Sequence, residues 1–218
     1  MTTLSEENYL KAIYHLGNYG ALSVSTNAIA EQIETKASSV TDMLKKLADK
    51  GLVNYKKYQG AKLTGKGLRI ASSVVRKHRL WEVFLVEKLN FSWDEVHVVA
   101  EQLEHIESDK LTNQLDAFLG FPTHDPHGDP IPDREGKFSK MNKILLSKAE
   151  IDKVVECVGV KDSSVEFLQY LDKNGITLGT RISVVSQEPF DKSMTVKINN
   201  KKVTISKIVT ENIFVKTE

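Results

Sequence analysis

The apolar positions in the first half of the chain recur with helical period. Tyr9, Ile13 and Leu16 share a face of one segment, with Ser5 placed to cap it. Ala28, Ile29 and Ile33 mark a second short helix from Ser25 to Ile33, and Glu34-Thr35-Lys36 reads as a turn. Val40, Leu44 and Leu47 recur along a third helix from Ala37 to Lys50, with Gly51 just past its end. The run LVNYKKYQGAKLT then predicts two short strands around Lys-Tyr-Gln-Gly. Helical period returns from about Gly65 to Lys88 and from Trp93 to about Leu119. Pro122, Pro126, Pro130 and Pro132, four of the five prolines, exclude helix and central strand from the stretch that follows. Beyond Leu146, a capping-box match at Ser163–Glu166 opens a helix ending near Asn174-Gly175. The segments TRISVVSQ, SMTVKIN, KKVTIS and NIFVKT read as strands, with Asn199-Asn200 at a tight hairpin.

This order predicts a mainly α chain with a β-rich C-terminal domain. Helix, helix, turn, helix and hairpin is the order of a winged helix-turn-helix, placed at 1–73. A helical domain follows over 74–146, then a small barrel over 147–218. The single cysteine, Cys157, excludes an intramolecular disulfide and a cysteine-based zinc site. No basic-then-apolar leader opens the chain and no apolar run approaches the roughly 18 residues of a membrane span. A cytoplasmic protein without a membrane partner is expected.

Charge changes the picture more than composition does. The 218 residues carry a net charge of only +1, but its distribution is uneven. Lys36 to Arg79 holds twelve Lys/Arg against two acids, whereas Leu80 to Glu135 holds thirteen acids against three Lys/Arg. A basic block points to a polyanion. The acidic block contains four of the six histidines, His97, His105, His124 and His127, and so points to divalent cations.

The spacing sharpens both. His97, Glu101, Glu104 and His105 fall at i, i+4, i+7 and i+8, one stripe of a continuous helix. His78 and Glu82 share a face of the preceding helix. Carboxylates with imidazoles suit Mn²⁺, Fe²⁺, Co²⁺ or Zn²⁺. His124, Asp125 and His127 form a smaller group in the Pro-rich loop, which a polar loop accounts for without metal. Asp162 and Glu166 are ligand types too, and helix capping accounts for both. For DNA, the third helix offers Lys36, Ser38, Ser39, Thr41, Asp42 and Lys45, and Thr26 and Asn27 open the second. Lys56, Lys57, Tyr58, Gln59 and Lys62 are candidates on the hairpin.

The stretches ENYLKAIYHL, RKHRLWEVFL, VHVVAEQLEH and LGFPTHDPHGDPIP, with the helix-turn-helix, resemble the diphtheria toxin repressor family, in particular its manganese-responsive branch. The resemblance covers nearly the whole chain. It implies a homodimer that binds an inverted-repeat operator when loaded with metal, controlling metal uptake genes, and an SH3-like third domain. It implies one metal site at Asn8, Glu101, Glu104 and His105. It implies a second at His78, Glu82 and His97, helped by Asp162 and Glu166. In some relatives the Glu82 position instead joins those of Asp125, His127 and Asp162. Glu101 stands where iron-sensing relatives carry Cys, which favours Mn²⁺ over Fe²⁺, and Lys11 stands where some carry Glu. No enzymatic activity is expected.

The rival reading is a metal-binding helical protein or di-metal enzyme without operator specificity. Such sites need Glu-x-x-His on each of two helices. Here Glu101-x-x-x-His105 occurs on one, and the basic hairpin is left unexplained.

Overall fold

The computed structural model describes residues 2–139 and 142–217, which divide between two compact units. The first comprises Met1–His78, Glu101–Asn113 and Pro132–Phe138. Its helices are α1 (Leu4–Leu16), α2 (Thr26–Gln32) and α3 (Ala37–Asp49), followed by the hairpin β1 (Val53–Lys56) and β2 (Gly60–Leu63). Leu10, Ile13, Ile29, Val40, Leu44, Leu47 and Ala61 close one core from these elements. Ser25 caps α2 through Ala28 N–H, and Gly51 leaves α3 with φ at 68°. Val24 and Ala61 exchange backbone hydrogen bonds of 2.8 Å, tying the hairpin to the start of α2. A Cβ at Gly60, whose φ is 84°, would lie 2.3 Å from Val24 O, so only glycine fits there.

Helix α4 (Gly65–Leu89) supplies residues to both units. The second unit comprises Arg79–Ala100, Gln114–Ile131 and Ser139–Glu218. Leu80 and Val83 pack with Leu115 and Ile131, and Leu85 packs with Val96 and Ala100 of α5 (Val96–Leu103). An antiparallel six-stranded sheet follows, in the order β3-β8-β4-β5-β6-β7. Its strands are β3 (Ile144–Leu145), β4 (Val154–Val160), β5 (Arg181–Gln187), β6 (Met194–Ile198), β7 (Lys201–Ile205) and β8 (Ile213–Thr217). Register shifts at Cys157/Gly159 and Val184/Ser186 are the irregularities that bend such strands. Asn199 and Asn200, at φ 47° and 66°, form the β6–β7 turn as their identity predicts. Trp93 packs into the sheet core and its indole N–H donates to Asp172 of α7 (Val165–Lys173) at 3.0 Å. Among the described residues no helix is long and apolar enough to cross a membrane.

Three elements differ from the sequence reading. The segment expected as one helix from Trp93 to Leu119 is two, α5 and α6 (Asp109–Phe118). Ser108 accepts the Leu111 N–H and starts α6 afresh, and the break turns Glu104 and His105 towards α1. The first N-cap is Thr3 and not Ser5, because Thr3 and Glu6 form the capping box. At α7 the N-cap is Ser164; its N–H donates to Asp162, so the expected Ser163–Glu166 box is replaced by a turn one residue on.

Glu6 is buried in the first unit but charged. Burial works against its ionisation, and Lys50, the Thr3 N–H and Lys46 overcome it, holding its pKa at about 2. Its stabilisation is therefore full above about pH 4.5 and is lost as pH falls from there towards 2. Glu6→Gln is expected to cost about 1–3 kcal/mol at pH 7. Urea unfolding should show that gap narrowing steadily below pH 4.5, and a gap independent of pH would refute the assignment.

Candidate metal centre

The Pro-rich loop is built around Asp125. One of its oxygens accepts the N–H groups of His127 and Asp129, both at 2.9 Å, and this folds the loop back on itself. Gly128, with φ at 83°, lies so close to β4 that a Cβ would sit 2.1 Å from Val158 O. Next to it the His127 carbonyl accepts the Val160 N–H at 2.9 Å. The loop is thus pinned to the sheet, and His127 is aimed at α4.

On α4, Glu82 is 2% exposed and stands between two imidazoles. Its Oε2 is 3.7 Å from His127 Nδ1 and its Oε1 is 3.5 Å from His97 Nδ1. Donor atoms of Glu82, Asp125 and His127 all lie within 4.8 Å of one another, and all three residues are buried. The His127 Nε2–H donates to the Trp93 carbonyl at 2.8 Å, which leaves Nδ1 as the nitrogen that faces Glu82. Arg79, buried as well, sits 3.3 Å from Asp125 and 3.2 Å from Asp129 and donates to the Pro130 carbonyl.

The cluster brings two acids, an imidazole and a guanidinium together in one enclosure. Burial first, then the charge of Glu82, pushes Asp125 up to about 7 despite Arg79. Burial would lower His127, but the hydrogen bond and charge of Glu82, with Asp125 behind it, push it up to about 9. Two carboxylates and an imidazole nitrogen, buried together, are donor types that suit a divalent transition metal.

Of the stripe residues, His97 lies beside Glu82, as expected of the second site, and the other three belong to the first unit. In the first unit Glu104, 1% exposed, accepts from Lys11 at 2.6 Å and lies 2.5 Å from His78 Nδ1. Burial raises its pKa, but the His78 hydrogen bond and the Lys11 charge lower it overall. His105 meets Glu7 at 2.7 Å. The α1 residue beside His105 is therefore Glu7, while Asn8, the residue expected from the resemblance, is on the exposed side of the helix. Glu101 is half exposed, 3.6 Å from Lys11. Asp162 and Glu166 are exposed and outside the Glu82 group. His124 bonds Thr123 at 2.9 Å, and burial holds its pKa low. The sequence reading missed Glu7 and Arg79, and noted Lys11 only as a departure from relatives; the Glu7–Lys11 i,i+4 spacing on a helix with a buried face was the available signal for Glu7.

The DNA candidates gather on one side of the first unit. Ser38, Ser39, Asp42 and Lys45 are on α3, opposite the buried Val40, Leu44 and Leu47. Thr26, Asn27, Thr41 and Lys57 line one polar cleft between the starts of α2 and α3 and the hairpin. Lys36, Lys56, Gln59 and Lys62 are exposed nearby in sequence, and Tyr58 is 93% exposed at the tip.

A solved manganese-dependent transcriptional repressor in complex with manganese is 35% identical, with a TM-score of 0.83, over 98% of this chain and 100% of that one. The chain belongs to the iron-dependent, diphtheria-toxin-type repressor family. Its DNA-binding domain model, described as the iron dependent repressor N-terminal DNA binding domain, matches residues 1–61. The family's metal binding and dimerisation domain matches 64–133, and a FeoA domain, the SH3-like module of this architecture, matches 144–217. The iron-dependent repressor of Mycobacterium leprae is 36% identical over 126 residues, 58% of this chain and 54% of that protein. A probable metal transport system membrane protein of Chlamydia trachomatis is 46% identical over 91 residues, 42% of this chain and 20% of that protein. The chain thus spans between a fifth and about half of the length of these two curated relatives. Family membership accounts for the winged reading head and places the Glu82 group within the matched metal-binding segment.

If that group holds metal, Glu82→Gln should weaken Mn²⁺ binding by about 100-fold with an unchanged circular dichroism spectrum. Metal must displace protons from Asp125 and His127, so affinity should rise from pH 6 to pH 9. Calorimetric Mn²⁺ titration of both proteins across that range checks both statements, and equal affinity for the two proteins would remove Glu82 from the site.

Proposed function

We propose that this chain is a homodimeric transcriptional repressor that binds an inverted-repeat operator when a divalent metal, Mn²⁺ ahead of Fe²⁺, is held at Glu82, Asp125 and His127. The proposal assigns the reading head to 1–73, dimerisation and metal binding to 74–146 and the SH3-like module to 147–218, in a cytoplasmic protein without catalytic activity. The observation that carries it is the buried pair Glu82 and Asp125 gathered with His127, donor atoms of all three lying within 4.8 Å of one another. The choice of metal is supported by the 35% identical neighbour, a manganese-dependent repressor in complex with manganese. The donors support it too, being carboxylates and an imidazole with no thiolate among them.

Bound metal supplies positive charge to this enclosed anion pair. Glu82 is then joined to the Pro-rich loop through Asp125 and His127, with His97 beside its other oxygen. His78 lies one turn earlier on α4, the helix that continues from the reading head. A metal that favours one arrangement of these residues must favour DNA binding if that arrangement spaces two reading heads about one helical turn apart, and DNA must in return tighten metal binding. The di-metal enzyme alternative lacks support from any of these relatives and leaves the basic hairpin idle.

DNA selected from a random duplex pool in Mn²⁺ provides the operator probe. Fluorescence anisotropy with that duplex should show affinity roughly 5–150-fold higher in Mn²⁺ than in chelator; equal affinity would refute the metal switch. Lys57→Glu and Lys62→Glu should each weaken binding to selected and unrelated duplexes alike and reduce the log–log salt slope by about 1. An unaltered slope would take the hairpin off the phosphates.

A further inference from the structure

The first unit contains a second convergence of metal-ligand types, and its centre is a lysine. The Lys11 ammonium lies 2.6 Å from Glu104 Oε2, 3.3 Å from His78 Nδ1 and 3.6 Å from Glu101 Oε1. The Lys11 side chain is only 14% exposed, and Glu104 only 1%. His105 closes the far side, with Nε2 3.7 Å from the other Glu104 oxygen and Nδ1 bonded to Glu7. A charged nitrogen on a four-carbon stem thus sits where two carboxylates and an imidazole converge, which is the environment a small cation would require. The contrast with the Glu82 group is chemical. There two buried carboxylates face an imidazole, with Arg79 beside Asp125; here the acids meet an ammonium directly.

We propose that Lys11 is a tethered cation that occupies the position a metal ion would otherwise take among Glu101, Glu104 and His78. Lys11 is then a specificity-determining residue. It joins α1, α4 and the turn after α5 without metal, and it confines the metal response to the Glu82 group. The inference deepens the metal-switch reading, but its test needs neither DNA nor the Glu82 site.

Five versions of the whole chain decide it: the wild type, Lys11→Met, Glu82→Gln, the double variant, and Lys11→Gln as a second neutral replacement. Calorimetry and electron paramagnetic resonance with MnCl₂ alone give the stoichiometry. Removing the ammonium should add one Mn²⁺ equivalent per chain, with Glu82 intact and in the Glu82→Gln background alike. In chelator, Lys11→Met should melt below the wild type, because Glu104 loses its charged partner, and Mn²⁺ should restore the difference. If Lys11→Met is unfolded in chelator, refolding on addition of Mn²⁺ supports the proposal. Failure of Mn²⁺ to refold it, or folded Lys11→Met and Lys11→Gln that gain no equivalent, overturns it. So does a Glu82→Gln protein that retains Lys11 and binds Mn²⁺ through Glu101 and Glu104. A wild type that binds no Mn²⁺ while Lys11→Met binds one would instead retain this proposal and remove the Glu82 reading.

Discussion

Two carboxylates buried against each other, Glu82 on α4 and Asp125 in the Pro-rich loop, are the constraint on which the second unit's chemistry turns. Like charges in a poorly solvated enclosure repel strongly, and such groups persist only when protonated or compensated. Arg79 compensates Asp125 from one side and His127 faces Glu82 from the other. Asp125 is nonetheless pushed up to about 7, first by burial and then by the charge of Glu82. The fold holds the arrangement because the loop is closed by the Asp125 carboxylate, which accepts the His127 and Asp129 N–H groups, and by the contact of Gly128 with β4.

The molecule handles the buried acids Glu6, Glu104 and Asp125 in two ways. Glu6 is ion-paired with Lys46 and Lys50, which hold it near 2. Glu104 is paired with Lys11 and His78 and is likewise held below its usual range. Asp125 is displaced upwards. Desolvation raises all three, so the sign of the net shift reports whether a sufficient partner is already in place. By that measure the charged partners of Glu6 and Glu104 in the first unit outweigh burial, and those of Asp125 in the second do not.

The reading head uses its charge differently. Its exposed lysines and hydroxyl side chains lie around a polar cleft and not in an enclosure, so water screens their mutual repulsion until a polyanion replaces it. The hairpin is tied to Val24 by two backbone bonds, which keeps Lys57 and Tyr58 beside the starts of α2 and α3.

Local signals determined much of this protein. The apolar period of α1, α3 and α4, the caps at Ser25 and Gly51, the asparagine hairpin and the proline content of the loop act within a few residues, and each matches the fold. The charge blocks likewise located both chemistries in the chain. What local signals could not decide was which ligand types meet. A continuous helix would have kept His97, Glu101, Glu104 and His105 on one stripe, but Ser108 restarts the helix and the acids after Leu103 turn to α1. Glu82, by contrast, acquires Asp125 and His127 from more than forty positions away. Such pairings depend on long-range packing and on the balance between desolvation and charge. Neither exists until the chain is folded, and so only the tertiary structure decided that Glu82 meets Asp125 and His127 while Glu104 meets Lys11 and His78.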